Sequence, residues 1–349
     1  MLLTRDQPPR AVHSLQAMRL SQSAWQQKAS SQPALCGLAW GWDGAGASTP
    51  ADLAGLCGLA SLAKPLLGAT TPWVDAWAGG GTALRLCHSG AAHWQTDVDW
   101  AFGQLHLPEA AGALDATAYR DLFAALQDCA CPQVLRLWNY LPRINADGGG
   151  LERYRQFDIG PQQAFIDAGR DAFEGAPAAC ALGTVGDAAG GLSLCFLAGR
   201  VAPRPVDNPR HVPAYRYTSR YEPRAPRFSR AALADTGGGR VALLVSGTSS
   251  IVGEHTVHLG DVVAQTHETL RNLRAVIDSA HRACNASLTL ADLQPTVYLR
   301  HAADHAKVLD LLAQAVPAWQ ASPCVQVEIC RDGILVAIEA HAVAPGTLA

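Results

Sequence analysis

The segment 325–341, VQVEICRDGILVAIEAH, sets the thiol of Cys330 and the carboxylates of Glu328 and Glu339 into a β-rich pattern. Asp332-Gly333 at its centre is the strongest short-range signal for a two-residue type I′ hairpin. Counting outward from that turn pairs Arg331 with Ile334, Cys330 with Leu335, Ile329 with Val336 and Glu328 with Ala337. Side chains alternate along each strand, so one face is expected to carry Glu328, Cys330, Leu335, Ala337, Gln326 and Glu339. The other carries Val325, Val327, Ile329, Ile334, Val336 and Ile338, an unbroken apolar set for the core. Carboxylates are rarely buried unless paired or working, so the first face is either solvated or a place for acid–base chemistry.

A second group of chemistry-bearing residues lies in irregular segments. Glu152-Arg153-Tyr154, Asn208-Pro209-Arg210, Tyr215-Arg216-Tyr217 and Tyr221 with Arg224 put guanidinium and phenol groups on loops, where binding residues concentrate. Arg300 closes a strand and is expected to point off the sheet rim. Each of these alone reads as a surface group. Together they fit a site for an anionic, partly apolar small molecule held by bidentate Arg–carboxylate pairs. Other patterns fail on spacing. GTSSIVG is not a G-x-S-x-G nucleophile elbow, His301 and His305 lack the acid of H-E-x-x-H, and neither G-x-G-x-x-G nor a P-loop occurs. No metal site is expected.

Composition narrows the class. The chain has 349 residues, 49% of them hydrophobic, and a formal net charge of −3. That length builds a sizeable core, and the near-neutral balance offers no footprint for nucleic acid or an anionic membrane. The ten cysteines form no CxxC pair, and several sit inside apolar runs such as LSLCFLAG. No apolar run approaches the ~20 residues of a membrane span. The expectation is a reducing, cytoplasmic setting.

These residues must be positioned by elements that repeat. A lead-in over 1–35 is expected to be irregular. Strands are expected at 83–90, 134–140, 241–250 and 296–300, helices at 116–128, 154–168, 262–279 and 305–315, and strand pairs over 178–200 and 325–341. Between them, 201–230 is rich in Pro, Arg and Tyr and holds no long regular element. The order strand, helix, strand, strand pair occurs twice, about 150 residues apart, with 241–250 matched to 83–92 and 325–341 to 178–200. A duplicated α+β unit follows, each with a mixed sheet and helices on one face. The division is lead-in 1–35, first domain 36–232 with insertions, and second domain 233–349 carrying the site.

LWNYLPRIN, GLERYRQFDIG, DNPRHVPAYRY with PRAPRFSRA, SGTSSIVGEH with the ET.RN helix, and the ICR…LV.IE ending resemble the chorismatases, in order, over about 75–345. The halves also resemble the RidA (YjgF) fold. The resemblance implies a cofactor-free enzyme that acts on chorismate, releasing pyruvate and leaving a hydroxybenzoate or a dihydroxycyclohexadiene carboxylate. It also implies a monomer or a RidA-like homotrimer. Arg153, Tyr154, Tyr215, Arg224 and Arg300 become the groups for carboxylates and ring hydroxyls. Cys330 and Gly247 match the 3-hydroxybenzoate-forming pattern, Cys330 shaping or assisting the ring chemistry. The family's proton-donating Glu corresponds to Ala337, and its second Glu to Glu339. Asp158, Pro161 and Ser219 also depart from the pattern. Ala337 leaves three readings: a Glu-to-Ala form engineered to trap substrate, a natural member with changed chemistry, or a nearby acid such as Glu328 or Glu339 taking over. A metabolite-binding protein that has lost catalysis is the rival from another class. A reactive-imine deaminase fits less well, because that small fold has no use for the long Pro/Arg/Tyr insertion.

Overall fold

The computed structural model describes residues 14–31, 35–40, 59–62, 66–67, 73–80, 84–108, 116–169, 177–184, 191–216 and 228–349. The first unit runs β1 (Arg85–Ser89), β2 (Ala92–Thr96), β3 (Trp100–Pro108), α1 (Thr117–Asp128), β4 (Gln133–Tyr140), α2 (Arg153–Phe157), α3 (Ile159–Asp167), β5 (Ala178–Gly183) and β6 (Gly191–Gly199). The second runs β7 (Arg204–Val206), β8 (Ala231–Asp235), β9 (Arg240–Ser249), α4 (Val262–Ala280), β10 (Gln294–Leu299), α5 (His305–Ala315), β11 (Cys324–Gln326), β12 (Glu328–Ile329) and β13 (Val336–Pro345).

The two units share one strand plan. The first sheet is ordered β12-β5-β4-β6-β3-β2-β1, and the second is β7-β8-β9-β13-β10-β11 followed by Leu66–Leu67. In each, a strand (β6 or β13) lies antiparallel between two earlier ones, and β4 or β10 also takes a parallel neighbour beyond it. Position for position, β9 answers to β3 and not to 83–92, which forms β1 and the start of β2 and answers to β7. The match of 241–250 to 83–92 therefore fails, because a shared Ser-Gly ending is too short a signal to fix register.

Hydrophobic patterning explains the layers. In α1, Ala118, Tyr119, Leu122, Phe123, Ala125 and Leu126 form a buried stripe at helical spacing that covers one face of the first sheet. Helix α4 begins at Asp261, whose carboxylate accepts a hydrogen bond from the Ala264 amide at 3.0 Å, and covers the second sheet with α5. The remaining sheet faces meet each other, with Trp100, Phe102, Trp138 and Tyr140 packed against Leu244, Tyr298, Val325 and Ile334. The result is four layers, helices outside and two sheets inside. This agrees with the expected α+β class of mixed sheets with helices on one face.

The structure corrects three expectations. Residues 325–331 and 334–341 do not pair as a hairpin: β11 joins β10, β12 crosses to the first sheet beside β5, and β13 lies between β9 and β10. The turn survives locally, with the Ile334 amide donating to the Arg331 carbonyl at 3.0 Å, but the flanking strands find better partners far away in sequence. Ala337 therefore stands opposite Ser249 and Tyr298, not Glu328, which faces Gly183. Part of the lead-in is also regular. Leu15–Ser21 pairs along its whole length with Trp73–Gly79, in a four-stranded sheet with Leu35–Trp40 and Leu59–Leu62. Gln22–Ser31 is helical, with Trp25 fully buried. Finally, the second sheet takes in β7, upstream of the expected boundary at 232/233, and β8, which spans it. Among the described residues, no helix is long and apolar enough to cross a membrane.

Candidate active site

The cleft forms where β5 approaches the bulged end of β9. Pairing of β9 with β13 slips between Val245 and Thr248, which leaves Ser246 and Gly247 out of the ladder. The Ser246 hydroxyl accepts from the Ala179 amide at 2.9 Å and donates to the Ser229 carbonyl at 2.6 Å, tying the bulge to the first sheet. Gly247 then faces the cleft, where a methyl group would meet only Cys180 Cβ, at 3.5 Å. The cavity has a volume of about 680 Å³ including its open mouth. That is ample for one small-molecule ligand.

Each wall comes from a different element. Strands β9 and β13 supply Gly247, Ser249 and Ala337, while the crossing at β12 supplies Ile329 and Cys330. From the first unit come Leu137 and Asn139 of β4, 179–182 of β5, Tyr119 of α1, Tyr154 and Phe157 of α2, and Asp158 and Pro161 at α3. The polar groups are ordered among themselves. Tyr119 donates its hydroxyl to Asn139 Oδ1 at 2.8 Å, and Asn139 Nδ2 donates to the Cys180 carbonyl at 2.9 Å. Burial pushes the Tyr119 phenol far above its ordinary range. Burial and the nearby Glu339 likewise hold the Cys180 thiol protonated. At neutral pH these two groups are uncharged hydrogen-bonding partners, not bases.

Of the residues singled out from the sequence, Ala337, Cys330, Gly247 and Tyr154 come together in this cleft. Ala337 is 4% exposed and presents only a methyl group to the cleft. Cys330 is held by its backbone, its carbonyl accepting from Asn145 Nδ2 at 3.3 Å. Glu339 shares Ala337's face, as alternation requires, but lies in a second cavity of about 330 Å³ between the sheets. There Arg136 meets it at 2.5 Å and Trp138 Nε1 at 3.2 Å. Arg153 and Arg300 are also outside the cleft lining. Arg153 is buried and donates from Nε to the Pro142 carbonyl at 3.2 Å. The Arg300 guanidinium donates to the carbonyls of Ile334, Ile329 and Arg331, each at 2.9 Å, and to Asn145 Oδ1 at 3.1 Å. Arg224 and the side chain of Tyr215 lie outside the described residues.

Sequence reading missed Tyr119, Asn139, Cys180 and Ser249 as cleft residues. Tyr119 is hidden in an amphipathic helix, where an aromatic reads as core, and Cys180 in an apolar strand. Asn139 and Asp158 did lie inside quoted motifs, so the signal was present without an assigned role. No basic side chain is among the described lining residues. Nor, among the described residues, is any cluster of His, Cys, Asp or Glu arranged to hold a metal ion.

Comparison with known proteins gives this geometry a context. The family described as "Chorismatase FkbO/Hyg5-like, N-terminal" matches residues 75–198. A chorismatase of Streptomyces rapamycinicus is 35% identical over 278 residues, 76% of this chain and 81% of that protein. A 3-hydroxybenzoate synthase of Streptomyces hygroscopicus is 36% identical over 70% of this chain and 74% of its own. A chorismatase crystal structure superposes on 95% of this chain and 99% of its own, with 25% identity and a TM-score of 0.78. The E. coli YjgF gene product aligns with 40% of this chain, at 21% identity and a TM-score of 0.29.

Proposed function

The chain belongs to the chorismatase family, and from that premise we propose that it converts chorismate to 3-hydroxybenzoate and pyruvate. The observation that carries this reading is the single cleft that gathers Cys330, Gly247, Tyr154 and Ala337 from separate elements of both units. Chorismate is a dianion with a flat, partly apolar ring. The apolar walls from Leu137, Phe157 and Phe228 suit the ring, and Tyr119, Tyr154 and Ser249 suit its hydroxyl and ether oxygens. Its carboxylates call for guanidinium groups, for which Arg224 on the 205–230 segment is the best-placed candidate by sequence. Gly247 leaves room over the ring, and Cys330 borders the position at which the ring oxygen shifts.

Arg153 and Arg300 then serve the site from behind its wall. Arg153, the neighbour of Tyr154, holds the Pro142 carbonyl, and Arg300 holds the carbonyls on either side of Cys330. Glu339 is a structural partner of Arg136 across the two sheets. The substrate is a free metabolite, and the chain operates in a reducing cytoplasm, a reading supported by the free thiols of the eight cysteines whose side chains are described. It acts as a monomer or a RidA-like trimer, which sedimentation distinguishes directly.

The test is incubation with chorismate, with pyruvate followed enzymatically and the aromatic products separated by chromatography. The expected products are pyruvate and 3-hydroxybenzoate. One observation favours a rival: Ala337 removes the acid expected for catalysis, which suits a protein that binds chorismate without cleaving it. Saturable binding with no pyruvate release establishes that rival. Formation of a dihydroxycyclohexadiene carboxylate places the chain among the hydrolysing members instead.

A further inference from the structure

Cleaving an enol ether requires a proton at its terminal carbon, and the methyl side chain of Ala337 has none to give. Other carboxylates stand near in sequence or space, and their surroundings separate them. Glu339 has Arg136 on one oxygen and Trp138 on the other, and it lines the second cavity. Glu328 is pressed against the first sheet's edge, where a Cβ added at Gly183 would meet its Cβ at 2.5 Å and its Oε2 at 2.8 Å. It does not line the cleft. Asp158 does, together with Ala337, and is only 6% exposed.

Tyr119 and Cys180 also line the cleft and also carry protons, but both are held as very weak acids, poorly matched to protonating carbon. Asp158 is the carboxyl group among the residues that line the cleft with Ala337, and a carboxylic acid is the suitable donor to an enol ether carbon.

We propose that Asp158 delivers the proton to the enolpyruvyl methylene carbon, in place of the acid missing at position 337. The inference rests on chorismate cleavage as the reaction. A C–H bond forms at the methylene carbon from the electrons of its double bond, leaving an oxocarbenium ion at the ether carbon. The bond between the ring and the ether oxygen then breaks, and its electron pair makes the keto group of pyruvate. The ring hydroxyl oxygen shifts to the vacated carbon, and a ring proton is lost on aromatisation, which returns the proton given by Asp158. Chorismate thus divides into hydroxybenzoate and pyruvate with no net water, oxidant or reductant.

The experiment compares pyruvate release and chorismate binding for the native chain, Asp158→Asn, Ala337→Glu and the double variant, with binding followed by tryptophan fluorescence. Asp158→Asn is expected to lose about 100-fold or more in kcat while keeping its affinity within about threefold. Ala337→Glu added to it is expected to restore turnover, which also shows that the Asn variant folds. If Asp158→Asn keeps most of the native rate, the proposal is overturned and chorismate cleavage stands. A native chain that releases no pyruvate, beside an Ala337→Glu variant that does, overturns it as well. Should no variant cleave chorismate, the functional reading itself falls, and the proposal with it.

Discussion

Four hydrogen bonds from the Arg300 guanidinium reach three backbone carbonyls of the 329–334 turn and the side chain of Asn145. Asn145 in turn donates to the Cys330 carbonyl and to Glu152, so one arginine ties the cysteine-bearing turn to the loop preceding α2. A lysine presents one ammonium and cannot reproduce that fork. Arg300→Lys is therefore expected to behave nearly like Arg300→Ala. Both should lose turnover by roughly 100-fold, the scale of an ångström-sized misplacement, in a steady-state assay. Unchanged kinetics in either variant would remove the positioning role. Gly247 is the opposite case. A methyl group there meets Cys180 Cβ at an ordinary 3.5 Å, so Gly247→Ala should leave the melting temperature unchanged and alter the product ratio seen by chromatography. A clear loss of Tm, or an unaltered ratio, would show that Gly247 does not shape the site. Residue types in the loops and the 325–341 segment announced the cleft's vocabulary in advance. Which arginines face a ligand could not be read, because a guanidinium that clamps backbone carbonyls has the same sequence signature as one that binds a carboxylate.

Strands β4 and β13 carry the join between the two sheets. Arg136 from one and Glu339 from the other meet with both side chains almost wholly buried, and Arg136 also donates to the Val245 carbonyl at 2.6 Å. Removing one partner of such a pair leaves the other charge stranded and costs about 3–5 kcal/mol. Glu339→Leu should therefore lower the denaturation midpoint sharply, and Arg136→Met combined with it should recover much of the loss. A Glu339→Leu chain as stable as the native one would contradict the assignment of Glu339 as a structural partner. At this scale the helices, the period-two alternation of 336–341 and the duplicated order were legible from hydrophobic spacing. The hairpins were not. In both units the strand pair splits around β4 or β10, because a parallel neighbour arrives by a crossover and the choice of edge depends on the whole sheet, not on the turn.

Across the whole molecule, the halves exchange material. Strand β12 leaves the second unit to extend the first sheet, Leu66–Leu67 extends the second, and Arg19 joins Asp75 to the Pro295 carbonyl and Thr296. Chains of 36–232 and 233–349 expressed separately should fail to fold, and the intact chain should melt in one transition by near- and far-ultraviolet circular dichroism. Two resolved transitions would contradict this. Stability should also depend on pH in one direction. Burial holds His211 at about 3, with Arg230 adding to the effect, and His341 at about 4, against an ordinary value of 6.5. The unfolded chain takes up these protons first, so stability is full above about pH 6.5 and falls as the pH drops toward 4. Replacing His341 with Gln should flatten that fall in thermal melts, and an unchanged slope would assign the acid sensitivity elsewhere. The central claim, that this two-sheet scaffold cleaves chorismate, is tested most directly by the stoichiometry of turnover. Equal amounts of pyruvate and 3-hydroxybenzoate, with chorismate consumed in the same proportion, are the predicted result. Chorismate bound and recovered intact, with no pyruvate formed, would contradict it.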